Sequence, residues 1–394
     1  SADSKMLAWV RYDESQVPIY SMTMYQGMAP AMSANEDYPG AYAYKYPVAG
    51  AKNADVKVLT FDIASRATRE MDVPLDADGY IPRIKFTSDP LKLAIVTLNR
   101  HQSIMRIYMG NPRSTVCQLA VEEANAEGKY VKEDAYAALT FYEGGFAMVS
   151  DRTDFRHIYL YNLNGQLMRQ VTKGDFDVCN FYGYDVATGN CYYASHEESP
   201  LRKAIYVTDK KGNTKKLSTK VGTNEATFSK TYDYFMNVYS SINQPPVTTL
   251  CDAKGKTLTT LIDNQNLKQK ADQLFAQKEL FSFTTADGVQ LNGWMVKPRN
   301  FDATKKYPVI MYQYSGPGSQ EVKDAWGLGM YGGAAYESYM AEQGFIFVCV
   351  DGRGTGGRGS QFEKCTYLRL GELESHDQVE TAIYLGSLPY VDSN

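Results

Sequence analysis

Short apolar and aromatic segments alternate with polar ones from Ser1 to about Asp263, and this pattern predicts a succession of β-strands. The segments 92–98, 145–150, 190–195 and 232–239 are each followed by a polar stretch and a second apolar segment. In three of these second segments an Ile-Tyr pair recurs (107/108, 158/159, 205/206), at a period of about fifty residues. That spacing is typical of the blades of a β-propeller.

Turn residues between the strands support the same prediction. Asn164-Gly165, and the segments 209–212 and 252–255 that begin with Asp and end with Gly, each lie between two predicted strands. One blade cannot bury both of its faces alone, so several must close into a ring. The sequence up to Asp263 contains enough predicted strands for about five blades. The sequence therefore predicts a partial propeller, with part of the ring expected upstream of Ser1.

The pattern changes after Asp263, where segments of helical and strand character alternate. Residues 264–279 predict an amphipathic helix, with Leu267, Ala271, Leu274 and Phe275 on its apolar face. The elements predicted next are a strand pair at 281–284 and 289–296, strands at 307–312 and 345–350 with a helix at 334–343 between them, and a helix at 371–386. Strand, helix, strand, helix is the beginning of a parallel α/β sheet. The predicted divisions are 1–263 for the propeller part, 264–278 for a linker helix and 279–394 for the α/β part.

Composition excludes several classes of protein. The longest apolar stretches, such as 345–350, are a handful of residues and too short to span a membrane. The 45 acidic and 41 basic residues give a formal charge of −4 without an extended Lys/Arg run, so a nucleic acid is not an expected partner. The 31 tyrosines, against 16 phenylalanines, favour a chain rich in strands.

The six cysteines form no C-x-x-C pair and no Cys/His cluster with zinc spacing. Isolated buried thiols are the favoured interpretation, and a pairing of Cys179 with Cys191 across neighbouring strands is the alternative. We predict no structural metal and no cofactor. The glycines of 352–357 (GRGTGG) formally match the dinucleotide fingerprint G-x-G-x-x-G, but polar residues follow where an apolar helix should pack, so a cofactor site is not expected.

The predicted strand 307–312 leads into a Gly/Pro-rich loop, Gln313 to Gln320, which contains Tyr314. In α/β-hydrolases a loop after the third strand supplies one hydrogen-bond donor to the oxyanion. Tyr314 could supply its hydroxyl for this purpose, and a structural tyrosine at a strand end is the alternative. No Gly-x-Ser-x-Gly sequence occurs in the 394 residues, so no serine nucleophile is predicted here.

Other chemically capable residues have ordinary structural interpretations. His376 precedes any place where the serine could be, so we expect a partly exposed helix residue rather than a general base. His101, His157 and His196 are expected to make hydrogen bonds in blade turns. The pairs Glu122-Glu123 and Glu197-Glu198 could bind an ammonium group, although adjacent acids in turns are usually solvated. Arg353 is expected to form a structural ion pair with Glu374 or Asp377.

Several motifs in fixed order resemble the prolyl oligopeptidase family of serine peptidases, and within it the dipeptidyl peptidase IV group. The motifs are YPVAGAKN at 46–53, DRTDFRHIY at 151–159, YPVIMYQYSGPGSQ at 307–320, VDGRGTGGRG at 350–359, LGELESHDQ at 370–378 and LPYVD at 388–392. Together they extend over essentially the whole chain. The resemblance implies an eight-bladed propeller that caps a serine-hydrolase domain, and the release of X-Pro or X-Ala dipeptides from free amino termini.

The resemblance also implies roles for particular positions. Tyr314 matches the tyrosine that donates to the oxyanion. The family's serine, aspartate and histidine are expected beyond Asn394, and its paired glutamates that bind the substrate amine are expected upstream of Ser1. Neither Glu122-Glu123 nor Glu197-Glu198 inherits that role. Residues 128–141 (GKYVKEDAYAALTF) depart from the Gly-Trp and Arg that the family often carries near the second substrate pocket.

The expectation is therefore a fragment of a dipeptidyl peptidase, inactive by itself, whose intact form acts on peptides with Pro or Ala in second position. A homodimer and a periplasmic or secreted location are what the family implies. A prolyl tripeptidyl peptidase is the alternative within the family. A non-catalytic propeller that serves as a binding module is the alternative from another class.

Overall fold

The computed structural model of the chain describes residues 1–25, 38–125, 127–330 and 334–393. The chain divides into two compact units. The first comprises Ser1–Ala137, Phe141–Phe146 and Tyr161–Gln166, and the second comprises Ala138–Thr140, Ala147–Leu160 and Leu167–Asn394. Strands dominate both units, as the sequence predicts.

The first sheet has three antiparallel strands, in the order β1-β4-β5. Its strands are β1 (Met6–Asp13), β4 (Asp55–Asp62) and β5 (Ala67–Glu70). Between β1 and β4 the chain forms a separate two-stranded hairpin of β2 (Ile19–Met24) and β3 (Gly40–Lys45). The hairpin is rich in exposed tyrosines, and the rings of Tyr20 and Tyr44 lie 6.1 Å apart between centroids.

Four further sheets each contain four strands in chain order. Their strands are β6 (Tyr80–Phe86), β7 (Leu93–Leu98), β8 (Ile104–Gly110) and β9 (Cys117–Ala124); β10 (Thr140–Tyr142), β11 (Gly145–Thr153), β12 (Phe155–Asn162) and β13 (Leu167–Gln170); β14 (Val178–Asp185), β15 (Asn190–Ser195), β16 (Ala204–Thr208) and β17 (Thr214–Lys216); and β18 (Thr223–Phe228), β19 (Tyr234–Ser241), β20 (Gln244–Asp252) and β21 (Thr257–Ile262). A short helix, α1 (Asp134–Ala137), precedes β10.

The repeat seen in the sequence corresponds to these sheets. Each Ile-Tyr pair lies in the third strand of a sheet, and all six side chains are buried. The predicted turns join the third strand to the fourth, and their glycines Gly165, Gly212 and Gly255 have φ of 83°, 92° and 86°. The predicted hairpins are therefore confirmed, because glycine adopts this left-handed conformation without a steric cost.

The helix predicted for residues 264–279 is shorter than expected. Helix α2 (Gln265–Leu274) ends before Lys278, which already begins a strand, and the linker helix assigned to 264–278 is wrong at its end. Its predicted apolar face is also only partly buried: Ala271 is buried, whereas Leu267 and Leu274 are exposed.

The last part of the second unit is a mixed sheet in the order β22-β23-β25-β24. The strands are β22 (Lys278–Thr284), β23 (Gln290–Val296), β24 (Val309–Tyr312) and β25 (Ile346–Asp351), and the helices are α3 (Ala334–Glu342), α4 (Ser360–Lys364) and α5 (Glu372–Gly386). β24 and β25 are parallel, as predicted, and the pairs β22/β23 and β23/β25 are antiparallel. The short helix α4 has no counterpart in the sequence prediction.

This sheet is buried on both faces. Alternate residues of β25 enter different clusters, with Val348 and Val350 on one side and Phe347 and Cys349 on the other. Leu385 of α5 belongs to the first cluster and Ala341 of α3 to the second. A strand covered on both faces reads as a continuous apolar run, which explains why this strand was visible in the sequence.

The buried face of helix α5 is largely polar. Its buried residues, at helical spacing, are Glu374, Asp377, Thr381 and Leu385, whereas Val379 and Ile383 are 59% and 63% exposed. The predicted helix is confirmed, but amphipathic spacing alone does not show that carboxylates are the residues it buries.

The turn glycines give a direct test of how closely successive sheets approach. A Cβ atom on Gly255 would lie 2.3 Å from the carbonyl oxygen of Leu217, whereas one on Gly212 would meet nothing within 4 Å. Both Gly→Ala substitutions carry the cost of a positive φ, about 1 kcal/mol. We expect Gly255→Ala to lower the free energy of unfolding by about 2 kcal/mol more than Gly212→Ala, as measured by urea denaturation. Equal losses for the two variants would contradict the close approach.

Candidate functional site

Tyr314 lies at the carboxyl end of the parallel strand pair. β24 pairs with β25 through Tyr312 and Cys349, so the loops that follow the two strands start side by side. The Tyr314 side chain is 61% exposed, and among the described residues none forms a hydrogen bond with its hydroxyl. Ligands of parallel α/β sheets bind at this end of the strands. The hydroxyl is therefore free to donate a hydrogen bond to a ligand.

The loop that carries Tyr314 is fixed by its own backbone. The hydroxyl of Ser319 lies 2.6 Å from the carbonyl oxygen of Gly316 and 3.1 Å from that of Tyr314. The Tyr314 ring lies close to Gly316, where an added Cβ would be 3.3 Å from the ring carbon Cε1. A compact loop of this kind limits the positions open to the phenol.

The glycine-rich segment 352–359 packs against this loop. Gly318 N–H donates to the carbonyl of Gly354 at 3.0 Å, and Gly356 N–H donates to that of Ser319 at 2.8 Å. A Cβ on Gly356 would lie 2.8 Å from the carbonyl oxygen of Gly318, so a side chain there would force the two loops apart. The glycines of the G-x-G-x-x-G pattern are also closely packed: a Cβ on Gly352 would lie 3.0 Å from that of Asp377, and one on Gly354 would lie 3.0 Å from Cγ2 of Thr366. The pattern thus has a packing role here.

A buried carboxylate and a buried indole hold the far end of the loop. Asp351, the last residue of β25, accepts the N–H of Glu321 at 3.1 Å and that of Val322 at 2.8 Å. The indole Nε1 of Trp294 donates to the carbonyl of Glu321 at 3.2 Å. Burial raises the pKa of Asp351 to about 6, and the two N–H donors oppose this shift because they favour the ionised carboxylate.

Arg353 forms the ion pair expected from the sequence, and its partner is Asp377. The backbone N–H and the guanidinium of Arg353 donate to Asp377, with the shortest side-chain distance, 2.6 Å, from Nη2. Glu374, the other expected partner, accepts the N–H of Gly371 at 2.9 Å instead. The hydrogen bonds that Arg353 donates to Asp377 raise the pKa of Arg353. His376 is partly exposed and touches Arg353, with 3.1 Å between Nδ1 and Nη2, which agrees with a helix residue.

Loops of the four-stranded sheets bind the segment that follows β25. Asp177 accepts the N–H of Gly359 at 3.1 Å, and the carbonyl of Asp154 accepts the N–H of Ser360 at 2.7 Å. The ammonium group of Lys364, almost fully buried, lies 2.6 Å from the carboxylate of Asp151. These contacts fix α4 and the glycine-rich loop to the sheets β10–β13 and β14–β17.

A second set of contacts holds the segment after the Tyr314 loop. The carboxylate of Asp324 accepts from Arg202 at 3.1 Å and from the N–H of Ile242 at 3.0 Å. The side-chain amide of Gln320 donates to the carbonyl of Pro200 at 2.8 Å. Both loops of the candidate site are thus tied to the preceding sheets within the second unit.

The remaining candidates have structural surroundings. His157 is buried, 3.0 Å from the hydroxyl of Thr172 and from the carbonyl of Gly174, which confirms the expected turn hydrogen bonds. Glu122 pairs with Arg106 at 2.7 Å and Glu198 with Lys216 at 2.6 Å, as solvated acids do. Glu123 is buried, which differs from the solvated turn expected for that pair.

All six cysteines are free thiols. Cys191 lies opposite Tyr184 in the pairing of β14 with β15, so Cys179 is not its neighbour and the alternative of a bridge between them is wrong. Burial raises the pKa of the Cys191 thiol to about 12, so it stays protonated and unreactive. In the described residues, groups of His, Cys, Asp and Glu that could hold a metal ion are absent.

Sequence reasoning identified Tyr314 and Arg353 but missed Asp351, Asp177 and Asp324. The signal for Asp351 was present, because a carboxylate that directly follows a fully apolar strand must be buried or must sit at the strand end. Asp177 and Asp324 gave no such signal, since each accepts a backbone N–H group more than eighty residues away, from Gly359 and Ile242.

Models of two known families match the chain. The dipeptidyl peptidase IV N-terminal region matches residues 1–246, and the prolyl oligopeptidase family matches residues 334–394. A probable dipeptidyl-aminopeptidase B of Aspergillus niger is 28% identical over 417 residues, a match that covers 100% of this chain and 45% of the relative. The chain spans about half the length of the curated relatives it matches.

Two solved structures share this fold. The crystal structure of Porphyromonas gingivalis dipeptidyl peptidase 4 has a TM-score of 0.92 and 45% identity, and the match covers 100% of this chain and 54% of that one. A putative dipeptidyl aminopeptidase IV from Bacteroides ovatus has a TM-score of 0.83 and 26% identity, with coverage of 100% and 57%. Helices of the described residues are all too short or too polar to cross a bilayer.

His196 offers a test of the packing at the glycine-rich loop. Its Nδ1 is buried with no hydrogen-bond partner among the described residues, and a Cβ on Gly357 would lie 3.1 Å from its ring. Burial lowers its pKa from 6.5 to about 4. Between these two pH values the unfolded chain binds a proton that the folded protein does not, so acidification should lower the free energy of unfolding, by on the order of 2 kcal/mol.

The variant that tests this pH dependence is His196→Asn, which removes the titrating ring. Its free energy of unfolding, measured by urea denaturation at pH 4 to 7, should fall less with acidification than that of the unaltered protein. His101→Asn, at an exposed histidine, is the control and should leave the pH dependence as it is. Parallel pH curves for His196→Asn and the unaltered protein would show that His196 is not buried in this way.

Proposed function

This chain belongs to the dipeptidyl peptidase IV family, and from that membership we propose that it is part of a serine exopeptidase that releases X-Pro and X-Ala dipeptides from the amino termini of peptides. In this proposal Tyr314 donates a hydrogen bond to the oxyanion that forms when the scissile carbonyl is attacked. The observation that carries the assignment is the position of Tyr314: an exposed hydroxyl without a protein partner among the described residues, on a fixed loop at the carboxyl end of β24.

A donor of this kind accelerates the reaction through electrostatics. The carbonyl oxygen gains negative charge as the tetrahedral intermediate forms, and a donor that is already oriented stabilises that charge without reorganisation. The ties at both ends of the Tyr314 loop support such a role, because they restrict the hydroxyl before the substrate arrives. The backbone N–H that completes an oxyanion hole follows the nucleophile in this class of hydrolase.

The other catalytic groups come from the family pattern. A serine attacks the carbonyl carbon of the second residue, a histidine takes the serine's proton and gives it to the leaving amine of the third residue, and an aspartate orients the histidine. Since the 394 residues contain no Gly-x-Ser-x-Gly, we assign none of these three roles to a residue of this sequence. Arg353 and Asp377 then brace the sheet end and do not take part in the chemistry.

The proposal includes a propeller for residues 1–263 and the start of an α/β-hydrolase domain from residue 279. Support comes from the four-stranded sheets in chain order and from the surface of the last of them. In β19 the buried Phe235 and Asn237 alternate with Tyr234, Met236 and Val238, which are exposed. An apolar second face of this kind suits a sheet that packs against neighbours on both sides, as in a ring.

The partners and the location in this proposal follow from the family alone. The substrates are peptides with a free amino terminus and Pro or Ala in second position. The intact enzyme is a homodimer in the periplasm or outside the cell.

The first test concerns Tyr314. In the complete gene product, Tyr314→Phe should lower kcat for Gly-Pro-p-nitroanilide by about 100- to 1,000-fold with little change in KM, because the lost hydrogen bond forms only with the oxyanion. Tyr339→Phe is the matched control, since Tyr339 on α3 is 60% exposed and undergoes the same chemical change. A kcat for Tyr314→Phe within threefold of the unaltered enzyme would refute the assignment.

The second test concerns the class of peptidase. For the complete gene product we expect hydrolysis of Gly-Pro- and Ala-Ala-p-nitroanilide and none of acetyl-Gly-Pro-p-nitroanilide, because a dipeptidyl peptidase recognises the free amine of the substrate. Faster release from Ala-Ala-Pro-p-nitroanilide than from Gly-Pro-p-nitroanilide would instead indicate a tripeptidyl peptidase. No hydrolysis of any of the four substrates by the folded, complete gene product would favour a binding module.

A further inference from the structure

Strand β25 fixes both ends of the Tyr314 loop. At the beginning of the loop, Tyr312 of β24 pairs with Cys349 of β25. At its end, Glu321 and Val322 donate their N–H groups to the carboxylate of Asp351, two residues further along the same strand. The chain therefore leaves its pairing with β25 after Tyr312 and contacts β25 again at Glu321. The two points of contact are only two residues apart along β25.

The carboxylate of Asp351 uses both of its oxygens in this contact. Oδ1 accepts from Glu321 and Oδ2 from Val322, so the side chain and the loop end are held in one relative orientation. Asp351 is 8% exposed and Val322 is fully buried, so water cannot readily replace either hydrogen bond. A buried carboxylate with two backbone donors keeps an irregular segment in place more firmly than a neutral acceptor does.

We propose that Asp351 is a positioning residue of the peptidase, which holds the Tyr314 hydroxyl at the oxyanion by fixing the end of its loop. The inference rests on the function proposed above for Tyr314. Asp351 touches neither the substrate nor the reacting atoms in this account. Its effect passes through the loop, since a donor displaced by about 1 Å loses much of its effect on the transition state.

The alternative is that Asp351 serves stability alone, and its energetics do not favour that. Desolvation makes an ionised carboxylate costly here, which is why burial raises its pKa, and the nearby Glu321 carboxylate acts in the same direction. The N–H groups of Val322 and Glu321 oppose this rise in pKa, and Lys323 opposes it more weakly. A buried acid that is retained at such a cost is more readily explained by a need for its two acceptor atoms.

Asp351→Asn is the informative variant because it preserves the shape and replaces one acceptor atom with an N–H donor. One of the two loop N–H groups then faces another N–H group, and that end of the loop is released. In the complete gene product we expect kcat for Gly-Pro-p-nitroanilide to fall about tenfold or more, with KM within about twofold. Thermal unfolding of the purified variant confirms that it is folded.

The decisive comparison is made in a Tyr314→Phe background. If Asp351 acts through the Tyr314 hydroxyl, adding Asp351→Asn to Tyr314→Phe should lower kcat by no more than about threefold further, so the two effects are strongly non-additive. Glu337→Gln is the matched control. Its carboxyl is also buried and accepts a backbone N–H, from Met330 at 2.8 Å, but it does not contact the Tyr314 loop. Its effect on kcat should be small and should persist in the Tyr314→Phe background.

The outcomes separate this inference from the proposed function. An unchanged kcat for Asp351→Asn, or a full loss that persists in the Tyr314→Phe background, overturns the positioning role and leaves Tyr314 as assigned. An unchanged kcat for Tyr314→Phe alone overturns the assignment of Tyr314, and the positioning role with it. If Asp351→Asn does not fold, Glu321→Pro replaces it, because proline removes one of the two N–H donors and leaves the carboxylate, and the same comparison applies.

Discussion

The parallel pairing of β24 with β25 is the constraint on which the candidate site depends. Two parallel strands end at the same edge of a sheet, so the loops that follow them are brought side by side although they are about forty residues apart in sequence. The sheet is buried on both faces, which fixes the register of the pair. Tyr314, Asp351 and the glycine-rich loop have their relative positions because of this pairing.

Backbone groups make most of the contacts between the two loops that follow β24 and β25. The two loops exchange hydrogen bonds between main-chain groups, and this requires an approach that Gly356 permits. Buried carboxylates then accept the N–H groups that the irregular segments leave unpaired: Asp351 at the Tyr314 loop, Asp177 at Gly359 and Asp377 at Arg353. Such groups must find a partner inside a protein, because an unpaired buried N–H costs as much as a lost hydrogen bond. The adjacent glutamates that the sequence suggested as binders of an ammonium group, such as Glu197-Glu198, take no part in these contacts.

Much of the fold could be predicted because it depends on local patterns. The continuous apolar run of β25, the Ile-Tyr period of the third strands and the glycine-containing turns that follow those strands each reflect burial or backbone geometry within a few residues. The predictions failed where tertiary packing overrides local preference. α2 ends at Leu274 although helix-forming residues continue, since Lys278 pairs with Val296 in the sheet. α5 buries Glu374 and Asp377 while Val379 is exposed, because the first turns of its inner stripe meet Arg353 and a strand end, and only its last part, at Leu385, enters an apolar cluster.

For the site, the sequence by itself determined the family and the order of the motifs, and it led to the proposal that Tyr314 donates to the oxyanion. These follow from residue identity and spacing along the chain. Only the tertiary structure decided that Asp351 holds the loop of that tyrosine, that Asp377 rather than Glu374 pairs with Arg353, and that the glycine fingerprint serves packing. Each of these contacts joins groups that are twenty or more residues apart in sequence. Such pairings depend on how the strands assemble, which local sequence patterns do not specify.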